Sequence, residues 1–160
     1  MAGRDAGEMT RLDYDPRKPR PSARRARPIQ RESAEQKTFI LWAHLWEQKY
    51  PPLQLLHSIP NGGARSKGEA GKMKGEGVKS GVPDLCLPYP RPGSQWPSEP
   101  GSAGLYLEMK APKPYDSPIS ENQQWWIDNL RAAGYTVVVC CGYREAAQAV
   151  CDYLDVKITI

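Results

Sequence analysis

The segment LYLEMK at 105–110 constrains this chain more than any other. Leu105, Leu107 and Met109 alternate with Tyr106, Glu108 and Lys110, the period-two pattern of a β-strand with one apolar face. Once Leu107 and Met109 pack into a core, an acid and an ammonium stand together on the other face. A second strand is read at DLCL (84–87). Between the two, residues 88–104 hold five prolines and three glycines, too many breakers for regular structure, so the stretch is a long hairpin loop or an insertion. An antiparallel hairpin sets the start of one strand against the end of the other, and Asp84 then lands beside Glu108 and Lys110.

The other elements follow from periodicity and punctuation. A helix is predicted over 33–50, with Ser33 as N-cap and Pro51-Pro52 as the stop. At 100° per residue it carries Glu35, Phe39, Trp42 and Trp46 on one face, so a carboxylate shares the aromatic stripe. LQLLHSI (53–59) reads as a buried strand ended by Pro60-Asn61-Gly62-Gly63, and residues 64–81 as an exposed, locally basic loop. Ser120 caps a helix over ENQQWWIDNLRAA, with Gly134 as its C′ residue. YTVVVCC (135–141) is the most β-branched run and the fourth strand. A closing helix spans 144–154, and VKITI is a possible β-like tail. The order α-β-β-β-α-β-α makes an α/β fold.

With 160 residues the chain suits one domain. No apolar run approaches the ~18 residues of a membrane span and no secretory signal is readable, which predicts an intracellular protein with no membrane partner. Cys86, Cys140, Cys141 and Cys151 form no CxxC pair, arguing against a zinc knuckle or a disulfide framework. The net charge is +4, and residues 1–30, rich in Arg and Pro, carry all of it, eight basic side chains against four acids. That segment lacks the apolar surface to offset its ordering entropy and is expected to be a disordered basic arm, with the folded domain at 31–160.

Two carboxylates in one crevice repel each other unless a cation lies between them, and hard oxygen donors favour Mg²⁺ or Mn²⁺. Acids that hold a divalent ion, with a lysine beside them, suit phosphodiester hydrolysis: the ion activates water and stabilises developing charge, and the lysine reaches the scissile phosphate. The competing reading is a solvated Glu108–Lys110 surface pair worth ~0–1 kcal/mol, which leaves Asp84 and Glu35 unexplained. Trp125 and Trp126 are candidates for base stacking, though helical spacing with Ile127 and Leu130 puts at least one in the core. Trp96 is a candidate stacking or dimer contact, His57 a candidate phosphate contact, and His44 a structural residue.

GVPDL at 81–85, LYLEMKAP at 105–112, SENQQ at 120–124 and the helix beginning at SAEQ resemble the VRR-NUC (virus-type replication-repair nuclease) branch of the PD-(D/E)xK nucleases, over roughly residues 31–154. The resemblance implies a restriction-endonuclease-like core, a mixed central sheet flanked by helices, and an Mg²⁺- or Mn²⁺-dependent DNA endonuclease. By position it implies metal ligation by Asp84, Glu108, the Met109 backbone carbonyl and Glu35, with Lys110 assisting the attacking water and Gln123 near the site. Glu32, about 60° from Glu35 on the same helix, is the rival for the helix acid. HSIPNGGAR at 57–65 is similar to the family's turn, which makes Asn61 and Arg65 DNA contacts, joined by Lys67, Lys72, Lys74 and Lys79 as phosphate-tracking residues. Stand-alone domains of this type imply a homodimer acting on branched or four-way-junction DNA. A catalytically weak DNA-binding module of the same fold is the alternative.

Overall fold

The computed structural model describes residues 28–60, 72, 73, 75–93 and 101–160, with side chains from Arg31 onward. Helix α1 runs Pro28–Trp46, so it begins five residues ahead of Ser33 and inside the segment read as an arm. Proline at its first position is the reason the start moves: the ring sets a helical φ and the missing N–H would have had no partner there. Residues 1–27 of the arm lie outside the described residues.

The strand expected at 53–59 is largely absent. Pro51–Leu55 is a 3₁₀ turn, stitched by the Leu53 amide donating to the Tyr50 carbonyl and the Leu56 amide to the Leu53 carbonyl. Two successive prolines fix φ near helical values, and that local constraint outweighs the apolar run. Leu53 is buried, but only His57–Ser58 remain as strand β1, and both residues are exposed.

Strands β2 (Leu85–Leu87), β3 (Leu105–Lys110) and β4 (Thr136–Cys141) fall where alternation placed them. The sheet has the order β1-β2-β3-β4. The first three strands are antiparallel neighbours and β4 runs parallel to β3, reached through helix α2 (Glu121–Ala132) as a parallel crossover requires. Helix α3 (Tyr143–Leu154) follows directly. The architecture is thus an α/β fold with a mixed four-stranded sheet flanked by helices.

One face of the sheet is the core. Leu85, Leu87, Leu105, Leu107, Met109 and Cys140 pack against Phe39 and Trp42 of α1 and Ala146, Ala147 and Val150 of α3. Phe39 stacks on Trp42 at 5.7 Å between ring centroids, and burying a side chain of this size contributes about 1.5–3 kcal/mol. The expected β-like tail is not a strand. Residues 156–160 carry no regular secondary structure and lie against the core, where Trp42 Nε1 donates to the Thr159 carbonyl and Tyr50 Oη to the Lys157 carbonyl. Among the described residues no helix is long and apolar enough to cross a membrane.

Candidate active site

The sheet's other face carries the chemistry. In β3 the alternate residues Glu108 and Lys110 point away from the core, toward α2. They are not a solvated pair: Glu108 is 2% and Lys110 5% exposed. Lys110 Nζ lies 3.2 Å from Glu108 Oε1, so the bland surface-pair reading fails on burial.

Asp84 sits one residue before β2. The β2–β3 register pairs Leu85 with Leu107, and the next step sets Asp84 opposite Glu108. The Met109 amide donates to Asp84 Oδ2 at 2.9 Å. The Asp84 carbonyl accepts from Ile59 at 2.7 Å, which anchors the backbone on its other side. Gly81 makes the approach possible: its φ is +88°, and an added Cβ would come within 2.7 Å of the Asn122 backbone. Only glycine lets the GVPDL segment lie this close to α2.

Gln123 closes the arrangement from α2. Its Nε2 donates to Glu108 Oε1, and its Oε1 accepts from Lys110 Nζ at 3.2 Å and from the Ser120 amide at 3.0 Å. The Ser120 hydroxyl in turn accepts from the Gln123 amide. The helix thus starts in a capping box whose glutamine is shared with the two buried charges. Among the described residues no buried side-chain nitrogen or oxygen lacks a partner.

Electrostatics mark the acids as a strained pair. Burial, reinforced by the charge of Asp84, pushes Glu108 up to about 7, against the opposing pull of Lys110. Asp84 is also raised, chiefly by burial, although the Met109 amide and Lys110 favour its charged form. Both acids feel Glu32 of α1 as a further negative charge.

That last observation separates the two helix acids. Glu35 Oε2 accepts from the Tyr143 amide at 2.8 Å, the first amide of α3, where a carboxylate satisfies an open donor and the helix dipole. Gly142 has φ +93°, and an added Cβ there would sit 3.2 Å from that oxygen. Glu35, expected with the metal ligands, is therefore occupied in joining α1 to α3. Glu32, whose Oε1 accepts from Ser117 Oγ at 3.0 Å, is the helix acid that Asp84 and Glu108 sense.

The basic residues divide in the same way. Lys72 is exposed and 3.8 Å from Glu76. Lys79 is exposed, with Nζ 5.8 Å from the centroid of the Trp126 ring. Asn61, Arg65, Lys67 and Lys74 lie outside the described residues, as does Trp96. Neither Trp125 nor Trp126 is core: Trp125 is exposed, Trp126 partly so, and Ile127 is the buried residue of that turn. His44 and His57 are exposed, bonded to Glu47 Oε2 and the Leu55 carbonyl respectively.

Among the described residues no three His, Cys, Asp or Glu side chains converge as a ready-made ligand set. Half-buried Asp84 and buried Glu108 instead supply two hard-oxygen donors whose charges oppose each other, a donor set that fits Mg²⁺ or Mn²⁺ completed by water or backbone oxygen.

A mixed sheet with Pro-Asp at the start of one strand, Glu-x-Lys at the end of the next and a glutamine-bearing helix across them defines the PD-(D/E)xK nuclease class. The family model described as the VRR-NUC domain matches residues 20–143, and the chain belongs to the VRR-NUC family. A solved structure of a VRR-NUC domain protein is similar at 27% identity and a TM-score of 0.61, covering 79% of this chain and 89% of that one. No curated protein matches. Family membership makes this a nuclease-type, DNA-processing protein.

Proposed function

We propose that the protein is an Mg²⁺- or Mn²⁺-dependent endodeoxyribonuclease that hydrolyses phosphodiester bonds in branched DNA, four-way junctions included. The observation that carries this reading is half-buried Asp84 set opposite fully buried Glu108, with one ammonium against Glu108. A fold has little structural reason to set a second carboxylate against one already out of water, whereas a divalent cation between them turns the repulsion into affinity.

In this reading Asp84, Glu108 and the Met109 carbonyl hold the metal, and Glu32 takes the place of Glu35 as the helix acid. The bound ion would lower the pKa of a water and neutralise charge on the phosphoryl oxygens. Lys110 is a compact positive charge fixed by Gln123, placed to orient the attacking water and meet the phosphate. Gln123 holds Glu108 and Lys110 through separate amide atoms, so both stay in place when one is drawn to the metal.

A homodimer suits a substrate with two equivalent strands to cut, because a two-fold axis presents two identical sites. Leu41 and Leu45, one turn apart on α1, are 66% and 79% exposed, an apolar strip that supports an isologous contact.

The reading is tested with a panel of single-stranded, duplex, flap and four-way DNA in Mg²⁺, Mn²⁺ or chelator. Metal-dependent cutting that favours the junction is the expected result. Best cleavage of single strands removes the junction reading, and metal-independent binding without cutting assigns a DNA-binding module instead.

The helix acids have their own test. Glu32→Gln is expected to lower cleavage by about tenfold or more with an unchanged melting temperature. Glu35→Gln is expected to cost about 1 kcal/mol, a drop of ~2–4 °C, with cleavage little changed. The opposite pattern would return the metal role to Glu35.

A further inference from the structure

Beside the acids lies a cleft of about 420 Å³, within the range of small-ligand sites. Ile59, Val78, Val82 and the Trp126 ring form its apolar walls, and Glu76 and Lys79 stand at its polar side. Its position follows from the elements that build the active site. Ile59 donates its amide to the Asp84 carbonyl, Val82 is two residues before Asp84, and Trp126 is one turn beyond Gln123 on α2, about 4.5 Å along the axis.

Trp126 is held in this pose. Its Nε1 donates to the Ser80 carbonyl at 3.2 Å, which spans the cleft's two sides and fixes the indole plane. Trp125 abuts it edge-to-face at 5.3 Å. The ring is only partly exposed and forms part of the cleft wall. The exposed Lys79 side chain sets its Nζ over the Trp126 ring, 5.8 Å from the centroid, and the Glu76 carboxylate is balanced by Lys72.

We infer that this cleft receives an unpaired nucleobase of the substrate, stacked on Trp126, with Lys79 meeting the backbone phosphate of that nucleotide. The inference rests on the nuclease reading and deepens it by naming what the site selects: a nucleotide free to leave its stack next to the cut. An apolar slot with an aromatic wall is sequence-tolerant, because every base offers a π-face. A fully paired base cannot enter without first being unpaired and unstacked. The cost of that step is lowest where the base is already unpaired or its stack is interrupted, as at a branch point.

The experiment compares binding of a hairpin-closed duplex with one bulged nucleotide to the same DNA with an abasic bulge, by fluorescence anisotropy in Ca²⁺ and in chelator. Cleavage of both is followed separately in Mg²⁺. Wild type is expected to prefer the base by about tenfold or more, the scale of one stacking contact. Trp126→Ala is expected to erase that preference while binding the abasic DNA as wild type does, and Trp126→Phe to keep part of it. Equal affinity of wild type for base and abasic DNA, or a uniform loss on both in the variants, overturns the inference. A base preference without cleavage would sink the nuclease reading and leave the cleft assignment standing.

Discussion

Asp84→Asn is expected to remove Mg²⁺-dependent DNA cleavage, by at least about 10²-fold, and at the same time to raise the melting temperature measured in chelator. The two effects share one cause. Asparagine keeps an oxygen to accept from the Met109 amide at the position Asp84 Oδ2 occupies, so the backbone is not released. It removes a negative charge that burial, and to a lesser extent Glu32, disfavours, and it relieves Glu108, whose carboxyl the Asp84 charge pushes up. In the proposed mechanism metal ligation needs that same charge. Adding Mg²⁺ should therefore raise the melting temperature of wild type and leave the variant where it was. The readouts are thermal unfolding with and without metal, and cleavage of the preferred DNA at saturating protein. A variant that cuts like wild type would remove Asp84 from the site, and one that melts lower in chelator would show that its charge is structurally useful.

The second large effect is a dependence of folding on pH. Glu108 has an ordinary value of 4.5 and sits at about 7 in the folded protein, so the folded chain binds this proton more tightly than the unfolded chain. Stability from this group is full below about pH 4.5, where both forms are protonated, and is lost as pH rises from about 4.5 through about 7. The loss is on the order of 3 kcal/mol, opposite in direction to that of a salt-bridged carboxylate with a lowered value. Urea unfolding in chelator at pH 5 and pH 8 is expected to show it. Glu108→Gln, which cannot ionise, should flatten the dependence. A midpoint that does not change between the two pH values would show that Lys110 and Gln123 compensate the buried charge in full.

What could be read in the sequence was whatever local alternation and punctuation govern. β3 matches LYLEMK residue for residue, the Ser120 cap and Gly134 stop frame α2, and the β-branched run is β4. The mixed α/β class and the VRR-NUC family follow from these elements and their motifs. The turns of meaning the sequence hid were set by competition. LQLLH has a strand's apolarity, yet its start is held by Pro51 and Pro52 and becomes a 3₁₀ turn. VKITI has a strand's composition but finds hydrogen-bond partners in Trp42 and Tyr50 rather than in the sheet. The juxtaposition of Asp84, Glu108 and Lys110 was legible because it needs only strand period and a hairpin. The contact of Glu35 was not, because it depends on where α3 presents its first amide, a tertiary fact about a helix more than 100 residues away.

The shared Gln123 side chain has a consequence for how variation in this protein is interpreted. One oxygen serves the first turn of α2 and the buried lysine together, so helix nucleation and the readiness of the site are a single cooperative event. Ser120 touches neither acid, yet its loss would unfasten the turn that keeps Gln123 aimed. A change there would be scored as a surface polymorphism by its exposure and as an active-site lesion by its phenotype, and only the second label would describe its physics.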